Sequence, residues 1–199
     1  MDADELDEMM YCDIDHIRER PRMYFGDVGA SALVRHTLQW ETQYSTQLPT
    51  TRIVVHRQGE ISLYFEGNTP GPCLKHLLLH LDQAELRASS RTYTTHSGPR
   101  LRRALLWVAA SKKASVKLRI DAKSIVQSYL NGRPVGTPTA SLQEENCISI
   151  SLESSLLATT SIDTPSIADW YASLTTPRPA VVLTDHILNQ TFELPGRSA

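Results

Sequence analysis

The stretch IDHIRERPRMYFGD, from Ile14 to Asp27, decides how the rest of the chain is laid out. Its first residues, Ile14 to Arg20, have the apolar spacing of a short helix. Pro21 should end that helix, because a proline disfavours helical geometry at the residue before it. Gly26-Asp27 then predicts a turn, after which a second helix is expected.

The composition predicts one globular domain, or at most two small ones. The chain has 199 residues, of which 41% are hydrophobic and 21% are charged, and a chain of this size can bury a sizeable core. The formal net charge of -2 indicates no particular class of partner. Cys12, Cys73 and Cys147 are widely spaced, which is typical of a reducing compartment. The sequence shows no signal peptide and no apolar run of bilayer length, so we expect a cytoplasmic protein.

The charges are unevenly distributed along the chain. Half of the lysines and arginines lie between Arg87 and Lys123, where Asp121 is the one acidic residue, whereas none lies between Pro134 and Pro177. Residues 1–13 form an acidic arm. This pattern predicts either a polarised surface or a set of separately solvated faces.

Hydrophobic periodicity predicts an α+β fold. A helix is expected over 30–47 with Leu33, Leu38 and Trp40 on its buried side, and Trp107 and Trp170 are also expected in the core. The order of helices and hairpins, followed by a meander, predicts helices on one face of a mixed, mostly antiparallel sheet. The other predicted elements are a hairpin over 52–57 and 61–65, helices over 73–86 and 99–111, strands over 115–121 and 124–130, the turn Asn131-Gly132, a strand over 147–152, a helix over 165–174, and strands over 180–184 and 190–194.

The opening stretch and the element order resemble the ATP-binding domain of the DNA gyrase B and topoisomerase IV family. That family opens with a short helix and then Arg-Pro-Gly-Met-Tyr-Ile-Gly-Asp, and this chain differs from it only at Arg22 and Phe25. The run from Asn131 to Val135 is similar to the family's Gly-Lys-Pro-Val hairpin, and Val181 to Asp185 is similar to its strand Ile-Thr-Leu-Thr-Asp. The resemblance implies one degenerate GHKL domain of the Bergerat type over 14–196, with the arm 1–13 before it and a tail, 197–199, after it.

The residues that hydrolyse ATP in that family are replaced in this chain. The family's water-activating glutamate falls on Gln39, and its magnesium-coordinating asparagine, one turn later, falls on Gln43. Glutamine has no titratable proton acceptor, so Gln39 cannot act as a general base near neutral pH. The adenine-binding aspartate falls on Phe65, which we expect to plug the former pocket. The two glycines that follow that aspartate correspond to Gly67 and Thr69.

The family's phosphate loop, Gly-Gly-x-His-Gly-x-Gly, is also lost. Only Gly98 remains in the corresponding run over 97–103. Glycines let a backbone approach phosphates at a helix N-terminus, and larger side chains obstruct that approach. Arg100, Arg102 and Arg103 either bind an anion or an acidic partner, or form an exposed helix face that is paired with acidic neighbours.

Residues 73–80 contain a candidate metal site. Cys73, His76 and His80 share one face of the predicted helix, where they would either bind a transition metal or pack beside neighbouring leucines. The packing interpretation is favoured, so neither a metal nor a cofactor is predicted.

These patterns predict a pseudo-ATPase domain that is not an enzyme and acts through protein contacts. A regulator or decoy of a type II topoisomerase, or of another GHKL protein, fits a scaffold that is kept while its chemistry is lost. Two alternatives stay open: a divergent ATPase that uses Glu41 or Glu66, and a nucleic-acid-binding module that uses the basic window 87–123. No membrane partner is expected.

Overall fold

The computed structural model describes residues 17–22, 29–44, 51–65, 107–120, 123–142 and 145–197, without the side chains of 40–44, 65, 120 and 123. Short helical segments lie within 17–22 and at 107–109. The longer elements, in chain order, are helix α1 (Ala30–Tyr44), strands β1 (Thr51–Arg57), β2 (Glu60–Phe65), β3 (Ser111–Ile120), β4 (Lys123–Leu130), β5 (Arg133–Ser141) and β6 (Asn146–Leu152), helix α2 (Thr164–Ser173), and strands β7 (Val181–Asp185) and β8 (Gln190–Leu194).

All eight strands form one sheet, in the order β5-β4-β3-β6-β2-β1-β7-β8. Neighbouring strands are antiparallel except β1 and β7, which run parallel and pair Thr51 with Val181 and Val55 with Asp185. The β4–β5 turn has Asn131 and Gly132 at φ values of 51° and 77°, the backbone geometry that an Asn-Gly hairpin turn requires. The predicted α+β fold with a mixed, mostly antiparallel sheet is therefore confirmed.

The hydrophobic core lies between the helices and one face of the sheet. Alternate residues of β1, β2, β3, β6 and β7 enter it, because successive side chains of a strand point to opposite faces. In α1, Leu33 and Leu38 are buried as predicted, and Val34 and Thr37 join them. The strands contribute Ile53 and Val55 from β1, Ile61 and Leu63 from β2, Val116 and Leu118 from β3, Ile148 and Ile150 from β6, and Leu183 from β7.

Trp107 links α1 to the segment that precedes β3. Its side chain is fully buried, as predicted. Its indole Nε1 donates a hydrogen bond of 2.7 Å to the Thr37 hydroxyl, which in turn donates one of 2.9 Å to the carbonyl of Leu33. A buried indole N–H normally needs such an acceptor, so this contact fixes α1 against the core.

Side chains at both ends of α2 hold it in place. The Asp163 carboxylate accepts a hydrogen bond from the backbone N–H of Ser166, which satisfies one free donor of the first turn. At the other end of α2, the guanidinium of Arg178 donates hydrogen bonds to the carbonyl of Ala172 in the last turn and to the carbonyl of Leu174 just beyond it. Arg35 of α1 donates to Ser166, so the two helices are joined on the same side of the sheet.

One predicted helix boundary is confirmed and another is wrong. The first helix ends before Pro21, because Arg20 forms a bend, as expected for a residue that precedes proline. Pro21 and Arg22 are again helical, since proline fits the first turn of a helix. The helix expected to end at residue 111 ends at 109, and Ser111 already begins β3, where it pairs with Leu152 of β6. The predicted loop and helix over 67–98 lie outside the described residues.

Candidate functional site

The residues that the resemblance places in a nucleotide pocket are described only in part. Gln39 is exposed on α1, directly after the buried Leu38. Gln43 lies one turn later on the same helix, and Phe65 is the last residue of β2; both side chains are outside the described set. The roles assigned to these positions therefore stay predictions.

Other residues singled out in the sequence also lie outside the described part of the chain. Across residues 17–22, 29–44, 51–65, 107–120, 123–142 and 145–197, no group of three or more His, Cys, Asp or Glu residues could hold a metal ion. No helix within those ranges is long and apolar enough to cross a bilayer. Glu41 is described without its side chain. The residues that lie outside the described ranges are Glu66, Gly67, Thr69, Cys73, His76, His80, Gly98, Arg100, Arg102 and Arg103.

The sheet face opposite the helices, here called the outer face, carries a chain of polar contacts. His56 Nε2 lies 2.9 Å from the Ser62 hydroxyl, which lies 2.8 Å from the Ser149 hydroxyl. Ser149 is in turn 3.3 Å from the Cys147 sulfur, and burial raises the pKa of that thiol. Ser62 is only 2% exposed, so a substrate cannot reach it. The network joins β1, β2 and β6 and does not form a nucleophilic centre.

Charge is balanced on the β1–β2 half of the outer face. The Arg52 guanidinium lies 3.8 Å from the centre of the Tyr64 ring and donates a 2.9 Å hydrogen bond to the Glu145 carboxylate. Arg57 pairs with Glu60 across the β1–β2 turn. These pairs are at least partly exposed to solvent, so each contributes little to stability.

The β3–β5 half of the outer face is basic. Lys113, Lys117 and Arg119 of β3 alternate with the buried Ala114, Val116 and Leu118, so these three cationic side chains share the outer face. The described residues of 111–142 include no acidic side chain, and their basic ones are Lys112, Lys113, Lys117, Arg119 and Arg133, with Lys123 described as backbone. The sequence window 87–123 included most of these lysines and arginines but not Arg133. The alternation of basic and apolar residues along β3 was the signal that could have placed them on one face.

A row of serine side chains crosses this basic half. Ser128 of β4 pairs with Ser115 of β3, and Ser115 pairs with Ser149 of β6. Directly opposed residues on neighbouring strands lie side by side on the same face of a sheet. The hydroxyls therefore form a line across three strands, with Lys113 on one side of it and Lys117 on the other.

The β7–β8 turn exposes two apolar side chains on a well-fixed backbone. Asp185 is only 2% exposed, and its carboxylate accepts from the Thr164 hydroxyl at 2.7 Å and from the backbone N–H groups of Ile187 and Leu188 at 2.8 and 3.0 Å. Ile187 and Leu188 are themselves 56% and 48% exposed. We call Ile187 and Leu188 the apolar tip. Sequence reasoning missed it, although two adjacent aliphatic residues in a hairpin turn were a visible signal.

Comparison with known proteins identifies the fold. No protein-family model and no curated protein matches the sequence. Solved structures do match, among them the crystal structure of the B-subunit of the DNA gyrase from Myxococcus xanthus, with a TM-score of 0.66 and 17% sequence identity over 92% of this chain and 55% of that chain. The chain therefore spans about half the length of that structure. At this level of identity the likeness concerns the fold alone, and the chain has a fold similar to that of this gyrase B subunit.

Proposed function

We propose that this chain is a gyrase-B-like domain that does not hydrolyse ATP and acts by binding another protein. The observation that carries the proposal is Gln39, an exposed residue of α1 at the position where the resemblance places the water-activating glutamate. A side-chain amide can orient a water molecule but cannot take its proton. Loss of a general base typically lowers a rate by about 100- to 10,000-fold.

The apolar tip supports the second half of the proposal. Exposed aliphatic side chains on a backbone that is already ordered lose little conformational entropy when a partner covers them. The turn is ordered in this sense, because the buried Asp185 accepts hydrogen bonds from the backbone N–H groups of both tip residues. We propose that Ile187 and Leu188 enter an apolar pocket of the partner. A type II topoisomerase subunit, or another protein with a GHKL fold, is the partner class that a retained gyrase-like scaffold suggests.

A nucleotide titration tests the absence of catalysis. The purified chain is titrated with ATP and magnesium in a calorimeter, and phosphate release is followed in parallel, with an active gyrase B ATPase domain as the positive control. We expect neither saturable heat nor phosphate release up to millimolar nucleotide. Turnover that disappears in a Glu41→Gln variant would establish the divergent ATPase instead.

A topoisomerase assay tests the partner. The chain is added to a purified type II topoisomerase from the same organism, and supercoiling and ATPase rates are measured. We expect the wild-type chain to change these rates and an Ile187→Ser/Leu188→Ser variant to lose the effect. Leu142→Ser is the matched control, because Leu142 is equally aliphatic and 102% exposed at another site. Rates that stay constant at a large excess of the wild-type chain would contradict the topoisomerase as partner.

A further inference from the structure

We propose that strand β8 pairs with β8 of a second copy of this chain, antiparallel and about a two-fold axis beside Phe192, so that two sheets become one. This inference goes beyond the proposed function and does not depend on it. Two observations carry it. Within the described residues β8 is the outermost strand on its side of the sheet, and the backbone groups on its open edge are arranged so that they complement those of a second β8.

The backbone groups that β8 leaves open belong to Thr191 and Glu193. The N–H of His186, which directly follows β7, donates to the carbonyl of Val55 in β1 at 2.9 Å. Successive residues of a strand direct their backbone groups to opposite sides, so the odd-numbered residues of β7 face β8, where their cross-strand partners are even-numbered. Thr191 and Glu193 therefore direct both N–H and C=O away from β7, towards the open edge.

This open edge is bounded at both ends. Before it, Asn189 has a φ of 52°, so the chain leaves the extended conformation there. After it, Pro195 has no N–H to donate. A strand that is added to this side of β8 thus meets the N–H and C=O groups of two residues, with Phe192 between them.

A second β8 fits this edge in one antiparallel register. With Phe192 opposite Phe192 of the second copy, Thr191 lies opposite Glu193 of that copy and Glu193 lies opposite its Thr191. Opposed residues of this kind exchange both of their hydrogen bonds, so every open N–H meets an open C=O. A register shifted by one residue would place Thr191 opposite Phe192, whose backbone groups already bond β7.

The side chains agree with this register and favour a copy of β8 over an unrelated peptide. Phe192 is only partly buried against the core, so it can contact Phe192 of the second copy, at a pair whose Cα atoms lie about 4.5 Å apart. Aromatic pairs across two strands stabilise a sheet. Thr191 and Glu193 are exposed, and each threonine hydroxyl can donate to the carboxylate opposite it. The register thus opposes a donor and an acceptor rather than two carboxylates.

The other edge of the sheet, β5, resists such pairing. It contains Pro134 and Pro138, Gly136 has a φ of 69°, and its pairing with β4 is irregular. Prolines and bulges on an edge strand prevent the addition of a further strand. Strand β8 contains neither proline nor glycine, so association through β8 is favoured over association through β5.

The experiment measures the mass of the full chain and the exchange of its edge amides. Sedimentation velocity covers about 1 to 500 µM, the range in which a short interface associates. Hydrogen exchange followed by NMR at both ends of this range reports on the amide protons of Thr191 and Glu193. The test variant is Thr191→Glu, which places a carboxylate opposite Glu193 of the second copy.

Two further variants separate the pairing from a general effect of charge. Thr139→Glu is the matched control, because it makes the same substitution at an exposed residue of the other edge strand, β5. The double variant Thr191→Glu/Glu193→Lys restores opposite charges across the proposed interface. Recovery of the dimer in the double variant also shows that Thr191→Glu does not act by unfolding the chain.

We expect the wild-type chain and Thr139→Glu to dimerise equally, and the amide protons of Thr191 and Glu193 to exchange more slowly as the dimer forms. In Thr191→Glu the dissociation constant should rise about tenfold or more, because the two-fold axis repeats the like-charge pair, and the double variant should recover most of this loss. A monomer at all concentrations, a dimer without slower exchange of these amide protons, or an equal loss in Thr139→Glu would each overturn the proposal. Slow exchange of both protons in the monomer would also overturn it, because another segment of the same chain would then cover the edge.

Discussion

Replacing Thr37 by valine tests whether the bond to Trp107 stabilises the core. The substitution keeps the branched shape of the side chain, so it opens no cavity, but it removes the hydroxyl that accepts from the indole at 2.7 Å. Thr37 is 2% exposed and Trp107 is fully buried, so water cannot replace the lost acceptor. An unsatisfied buried donor costs about 1–3 kcal/mol. We therefore expect Thr37→Val to lower the free energy of unfolding by about 2 kcal/mol, which is about thirtyfold in the unfolding equilibrium constant.

The assay is urea denaturation followed by far-ultraviolet circular dichroism, with the midpoint falling at an unchanged m-value. Thr37→Ser is the control, because it keeps the hydroxyl and should cost only about 0.8 kcal/mol for the lost methyl group. In a Trp107→Phe background the indole donor is absent, so Thr37→Val should cost about 1–2 kcal/mol less than it does in the wild type. Equal costs of Thr37→Val in the two backgrounds would refute the reasoning.

Three further perturbations probe other parts of the fold. Asp185→Ala should lower the unfolding free energy by about 3 kcal/mol or more, since three donors lose a buried acceptor; a loss below about 1 kcal/mol in urea would speak against that network. Gly29→Ala should cost about 1–3 kcal/mol, because its Cβ would lie 2.1 Å from Thr159 Cγ2, and an unchanged melting temperature would contradict this contact. Burial raises the pKa of Tyr129 and Tyr171 above the ordinary 10.0, so the unfolded chain loses these protons first. The free energy of unfolding should then fall as pH rises above about 10. In urea titrations above this pH, a Tyr129→Phe/Tyr171→Phe variant should lose less stability with rising pH than the wild-type chain does.

Local signals predicted the strands that pair with their neighbours in sequence. The hairpin of β1 and β2 follows from alternating apolar residues on both sides of Gln58-Gly59, and β8 has the bounds that its pattern indicated, Gln190–Leu194. The Asn131-Gly132 turn was readable because few other residue pairs adopt two successive positive φ angles. The parallel partner of β1 was not predictable in this way, since no residue in Thr51–Arg57 specifies a strand that lies more than a hundred positions later.

The start of β3 and the composition of the outer face show what the sequence leaves undecided. Lys112 and Lys113 interrupt the apolar–polar alternation that would mark the start of a strand, and they lie at an irregularity in the pairing of β3 with β6. The hydrophobic pattern alone therefore placed the end of the preceding helix too late. The basic window 87–123 was visible in the sequence, but which cations share a face depends on strand register. The predicted nucleotide position at Gln39 rests on the resemblance, because a pocket is built from elements that meet only in the folded chain.

The parallel pairing of β1 with β7 has a consequence for synthesis of the chain. Val181, the partner of Thr51, is made 130 residues later, which takes roughly 6–26 seconds at about 5–20 residues per second. During that interval one edge of β1, with the apolar Ile53, Val54 and Val55, has no strand to pair with. Non-local pairings of this kind also close slowly, because a long loop must be ordered first. The growing polypeptide therefore presents an open strand edge to its surroundings or to a chaperone until the ribosome has delivered Val181–Asp185.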